Sequence, residues 1–156
     1  MGYLDCLAAR GTHSDGGLLN NLKNLYAQQD PTGLVRRPYP SELGYFKTNK
    51  DVSGMATIDG KIILNPFSNL STKEQESVIK NERVRLWMRS NNITPDFKLT
   101  EKQRTFFLNT PYAENEDAMK QSIVARIISG DPSAMDATVE QNEWAKRIGN
   151  QVFGGQ

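Results

Sequence analysis

The sequence predicts an α+β chain, predominantly α-helical, with five or six helices, one β-hairpin over about residues 55–65 and an extended N-terminal arm. Three observations carry this. A Ser or Thr followed three residues later by Glu or Gln recurs at three places, the mark of a capped helix start. A single run rich in β-branched residues is broken by Asp59-Gly60. The first residues are rich in glycine and small polar side chains, which leaves little to bury.

The elements follow in order. Residues 1–16, ending in Arg10-Gly11-Thr12-His13-Ser14-Asp15-Gly16, read as a flexible arm that orders only against something else. A first helix is expected over about Leu18–Gln28, where Leu18, Leu19, Leu22, Leu25 and Tyr26 recur at helical spacing. Asp30-Pro31-Thr32-Gly33 makes a turn. Leu34 to Pro40 is expected to be extended, because Pro38 and Pro40 forbid helix there and disfavour a central strand. Ser41 is expected to cap a short helix through Phe46. Asp59-Gly60 fits a two-residue type I′ turn, with both residues at positive φ. A helix from Ser71 to about Arg89 buries Ile79, Leu86 and Trp87. Thr100 caps a short helix to Leu108. Another helix runs from Glu114 to Ser129 and stops at Gly130 and Pro132. Thr138 caps the last, which is expected to end near Ile148. Residues 17–150 are thus expected to form a single globular domain, with a tail over 151–156 that frays.

Composition removes several kinds of function. The 156 residues include 37% apolar and 24% charged side chains, enough for one modest core. With 19 basic and 18 acidic residues the net charge is +1, so no general pull toward nucleic acid is expected, and such binding is not favoured. No run approaches the roughly 18 apolar residues of a spanning helix, so no membrane is expected as a partner. Cys6 is alone, which fits a reducing compartment. The one histidine, His13, lies in the glycine-rich arm, a poor place for a general base. No GxxxxGK[ST] loop, GxGxxG turn or His/Cys cluster occurs. The expectation is a chain that is not an enzyme and holds no metal and no cofactor.

What remains is binding chemistry. Arg36-Arg37-Pro38-Tyr39-Pro40 presents two cations and an aromatic ring on a strip that prolines pre-order, so binding there costs little entropy. Lys80, Arg83, Arg85 and Arg89 lie along one helix, with Arg85 and Arg89 on one face, and Glu74, Glu76 and Glu82 are available as partners on the same helix. Arg36, Arg37, Tyr39, Arg85 and Arg89 are therefore the candidate partner-binding residues. Glu114, Glu116 and Asp117 cluster where a helix dipole favours acids.

Two resemblances add to this. Gly60-Lys61-Ile62-Ile63-Leu64-Asn65-Pro66, then Leu70-Ser71 and Glu74, then Val78 to Arg85, resembles the active-site half of a small zincin metallopeptidase, in which a strand feeds a helix bearing HExxH. Asn81-Glu82-Arg83-Val84-Arg85 keeps the glutamate but has Asn81 and Arg85 where both zinc ligands would stand. The resemblance implies a degenerate zincin-like helix whose chemistry is lost, with Arg85 free to pair with Glu82 or a partner. The stretches Tyr26 to Pro40 and Ala125 to Ala134 resemble small uncharacterised proteins of tailed bacteriophages. That implies a viral context only. Within it, the missing catalytic apparatus, the glycine-rich arm and the near-neutral net charge lead to the expectation of a non-enzymatic structural or accessory component located in the virion, and in host cytoplasm during assembly, whose partners are other virion proteins. The alternatives are an intracellular phage protein that binds a host protein or modulates a host or phage enzyme, and a hydrolase that uses Glu82 with Glu114 or Glu116 as metal ligands.

Overall fold

The computed structural model describes residues 33–134 and 136–154. The expected arm over 1–16 and the expected helix at Leu18–Gln28 lie outside the described residues. The described chain is α+β and predominantly helical. It contains α1 (Pro40–Thr48), β1 (Gly54–Ala56), β2 (Ile62–Leu64), α2 (Thr72–Ser90), α3 (Glu101–Phe107), α4 (Glu116–Ser129), a single 3-10 turn at Pro132–Ala134 and α5 (Val139–Val152). Among the described residues no helix is long and apolar enough to cross a membrane. The chain divides into two compact units that meet in sequence between Ile79 and Lys80.

In the first unit β1 and β2 pair antiparallel, with Met55 opposite Ile63. The turn between them differs from the expected two-residue type. Thr57 pairs with Lys61 (N–H to O, 2.8 Å), leaving a three-residue loop of Ile58, Asp59 and Gly60, and only Gly60 has positive φ (+76°). The cause is the Thr57 hydroxyl. It accepts from the Lys61 amide at 3.0 Å and donates to the Asp59 carboxylate, which fixes Asp59 and lets Gly60 alone take the left-handed position. The proline strip is extended, as its composition requires. Val35 bridges Ile62 in parallel, the Arg36 amide donates to the Ile62 carbonyl at 2.9 Å, and the Ile62 amide donates to the Leu34 carbonyl at 2.9 Å. Ile62, Ile63 and Leu64 are all buried, as are Val35, Pro38, Leu43 and Phe46 of the same unit.

Helix α1 starts earlier than a Ser41 cap would place it. Pro40 occupies the first turn, where its missing N–H costs nothing, and the Glu42 carboxylate accepts from the Tyr39 amide at 2.7 Å. The Ser71 hydroxyl accepts from the Glu74 amide at 3.2 Å and opens α2, whose buried residues are Val84, Leu86 and Met88.

The second unit has one apolar core. Val84, Met88, Phe97, Leu99, Phe107, Met119, Ile123, Val124, Ala145 and Ile148 are buried together, with Trp87 and Trp144 packed against them. Thr100 and Thr138 cap α3 and α5, and in each box a glutamine reaches back to the cap amide. Asn115 caps α4, which begins at Glu116 and not at Glu114, and Gly130 ends it with φ +75°. Helix α5 runs past Ile148 through Val152, into the stretch expected to fray. The burial of Gln141, Ala145 and Ile148 continues at helical spacing to Val152, and Phe153 also packs on the core.

Candidate functional site

The proline strip leads into a charged clamp inside the first unit. Arg36 has five N–H donors, and all five are engaged. Two go to Glu42 (2.8 and 2.9 Å), two to Asp59 (3.1 and 3.2 Å) and one to the Arg37 carbonyl (3.0 Å). The guanidinium also lies 3.9 Å from the centroid of the Tyr39 ring. The side chain of Arg36 is only 16% exposed. Its hydrogen bonds to Glu42 raise its pKa above the ordinary arginine value. The same bonds hold the Glu42 carboxyl below the usual carboxylate range, against its partial burial. Asp59 is held low as well, first by Arg36 and then by the Thr57 hydroxyl. Glu42 contributes more than Asp59, whose side chain is 47% exposed and screened by solvent.

This clamp joins three places distant in sequence: the strip, the start of α1 and the tip of the hairpin. On it stand exposed apolar groups. Tyr39 is 55% exposed although its amide and its ring are both held, and Ile58, in the hairpin loop next to Asp59, is fully exposed. Arg37 is exposed as well. Of the candidate residues, Arg36, Arg37 and Tyr39 are thus brought together, with Arg36 as the hub and its neighbours presented outward. Glu42, Asp59 and Ile58 were not picked out from the sequence. An isoleucine inside a turn, where polar residues usually stand, was the one available signal.

Arg85 and Arg89 belong to the second unit. Arg89 is exposed. Arg85 is wedged inside, with its side chain 13% exposed. Its guanidinium donates to Asn81 Oδ1 (2.7 Å), the Tyr112 hydroxyl (2.5 Å) and the Ser122 hydroxyl (2.9 Å), and lies 3.8 Å from the Glu82 carboxylate. The two positions where a zincin would carry its ligands are therefore bonded to each other. Ser122 is fully buried and also accepts from Arg126 Nε at 3.1 Å. Arg126 in turn holds Asp131 (3.0 Å) and Ser133 (2.8 Å), tying the end of α4 to the 3-10 turn. Burial lowers the pKa of Arg126, and Asp131 opposes that shift. Of the acidic residues at the start of α4, Glu116 pairs with Arg104 at 3.0 Å. Among the described residues, no group of three or more His, Cys, Asp and Glu is placed to hold a metal ion.

The two capping boxes of the second unit are joined by their glutamines. Gln103 Nε2 donates to Gln141 Oε1 (2.7 Å) and Gln141 Nε2 donates to Gln103 Oε1 (2.8 Å), while each Oε1 also accepts from its own cap amide at 3.0 Å. Gln141 Nε2 donates further to the Lys98 carbonyl at 3.1 Å. The buried side-chain amides of Gln103 and Gln141 are thus spent on each other, while exposed apolar groups stand in both units: Tyr39, Tyr45 and Ile58 in the first, Phe106, Leu108 and Val139 in the second. Compared with known proteins, the chain matches no family model, no curated sequence and no solved structure.

Proposed function

We propose that the chain is a non-enzymatic structural or accessory component of a bacteriophage particle, which binds other virion subunits through the surface built on Arg36. The supporting observation is the rigid presentation of Tyr39, Arg37 and Ile58. A fully exposed isoleucine gains hydrophobic stabilisation only when something covers it. A tyrosine stacked on a fixed guanidinium has already lost its rotamer freedom, so a partner meets an ordered anchor at little further cost. The viral context rests on the resemblance of the stretches Tyr26 to Pro40 and Ala125 to Ala134 to small phage proteins.

Mass spectrometry of purified particles tests this reading. The expected result is the chain at a fixed ratio to the major capsid protein. Its absence from particles, together with a tight complex with a host protein in infected cells, would replace this reading with that of an intracellular modulator. The hydrolase reading, which uses Glu82 with Glu114 or Glu116 as metal ligands, makes a separate prediction, zinc or manganese binding, and calorimetric silence with both metals ends it.

A further inference from the structure

The second unit carries a groove of about 410 Å³, distinct from the clamp of the first unit. Its floor is apolar, made by Ile127, Ile128 and Phe153. One rim is the row Asn142, Lys146 and Asn150 of α5, spaced four residues apart, and Lys80 of α2 contributes a second ammonium group. Among the described residues no carboxylate lines it. Lys80 and Arg83 both lie over the Phe153 ring, at 5.3 and 4.8 Å from its centroid. Apolar floor and cationic rim therefore occur together.

A second observation points to an occupant. Gly149 stands inside α5 and lines the groove. Glycine is the poorest helix former after proline. Packing does not demand it here. A methyl group at that position would meet Ile128 at 3.7 Å and beyond, an ordinary contact. The missing side chain instead deepens the groove.

We propose that this groove docks an acidic segment of a partner protein, which inserts a large apolar side chain over Gly149 and sets its carboxylates against Lys80 and Lys146. The charge of the rim selects an acidic occupant. The shape selects a segment: the rim from Asn142 to Asn150 covers two helical turns, about 12 Å, and is exposed along its length. Beside the Lys146 ammonium group, the Asn150 amide suits a peptide backbone, whereas the Asn142 amide already donates to the Thr138 carbonyl at 3.0 Å. This goes beyond the surface around Arg36, since it concerns a different unit and a different partner chemistry.

The test is titration of the isotope-labelled full chain, followed by NMR, with two short synthetic peptides. One is glutamate-rich with leucine and phenylalanine at helical spacing, and the other is its twin with lysine for glutamate. Dodecanoate is the third probe. The acidic peptide is expected to shift the amide signals of Ile128, Lys146, Gly149 and Asn150, to bind more weakly as salt rises, and to bind at least about tenfold more weakly to Lys80→Glu/Lys146→Glu. Gly149→Leu is expected to abolish binding by filling the groove, with circular dichroism checking that the fold is kept. Equal binding of both peptides, or indifference to the charge reversal, would overturn the proposal. So would dodecanoate shifting these signals while the acidic peptide does not, which would assign the groove to a small amphiphilic anion. The probes carry no virion sequence, so failure here leaves the particle reading standing, and absence from particles leaves the groove standing.

Discussion

Arg36 binds Glu42 and Asp59 with paired hydrogen bonds, because its planar fork serves two carboxylates at once. Lysine keeps the charge but cannot make the paired bonds. Arg36→Lys should therefore destabilise the first unit by about 1–3 kcal/mol, read by urea denaturation against the unchanged protein. The pH dependence follows from the same group. Glu42 and Asp59 have depressed folded-state values, so their stabilisation is fully present above the ordinary carboxylate range near about 4 and is lost as pH falls through the depressed values. A melting series downward from neutral pH should show the hairpin and α1 weakening in that acidic window, and Glu42→Gln should flatten the response while lowering stability at neutral pH. A response that is equally steep in Glu42→Gln would show that the carboxylates of the clamp are not its source. None of this was legible in the sequence beyond the presence of arginines. Glu42 and Asp59 lie 6 and 23 residues from Arg36, and no local rule connects them.

At the scale of elements, helix starts were legible because capping is local chemistry. Ser71, Thr100 and Thr138 stand where their side chains accept the orphan amides of the first turn. The hairpin's strands were legible from β-branched residues, but its turn was not, since a side-chain hydroxyl two residues away decided it. The pairing of the two glutamine boxes is a tertiary outcome that shared cap grammar alone does not specify. Removing one member leaves the other amide buried and short of a partner. Gln141→Leu should cost about 1–3 kcal/mol, and adding Gln103→Leu should cost less than that substitution does alone, a coupling of about 0.5 kcal/mol or more. Strict additivity in a denaturant double-mutant cycle would refute the link. In the first unit, Gly54 sits under α2. A Cβ there would lie 2.6 Å from Val78 Cγ1 and 3.0 Å from the Ile63 carbonyl. Gly54→Ala should destabilise the hairpin by about 1–3 kcal/mol as an overpacked site, seen as loss of amide protection at Ile63 in hydrogen exchange.

For the whole molecule, charge balance and composition set the class of chain, and the proline strip marked where Arg36, Arg37 and Tyr39 meet. The sequence could not separate Arg36, whose donors face inward, from Arg37 and Tyr39, which face out. Nor could it show that Arg85 is held by Asn81, Tyr112 and Ser122. That distinction depends on which chain segments meet in space. The central claim is that the chain assembles with other virion subunits through Tyr39 and Ile58, and it predicts that replacing both leaves the fold intact and removes the assembly. The most direct measurement is the copy number of the chain in purified particles, for the natural sequence and for Tyr39→Ala/Ile58→Ser, with soluble yield and melting temperature as controls. A fixed copy number for the natural chain, with at least about a tenfold fall for the variant as two interface anchors are lost, is the predicted result. Particles that contain none of the natural chain, or that take up the variant equally, would contradict it.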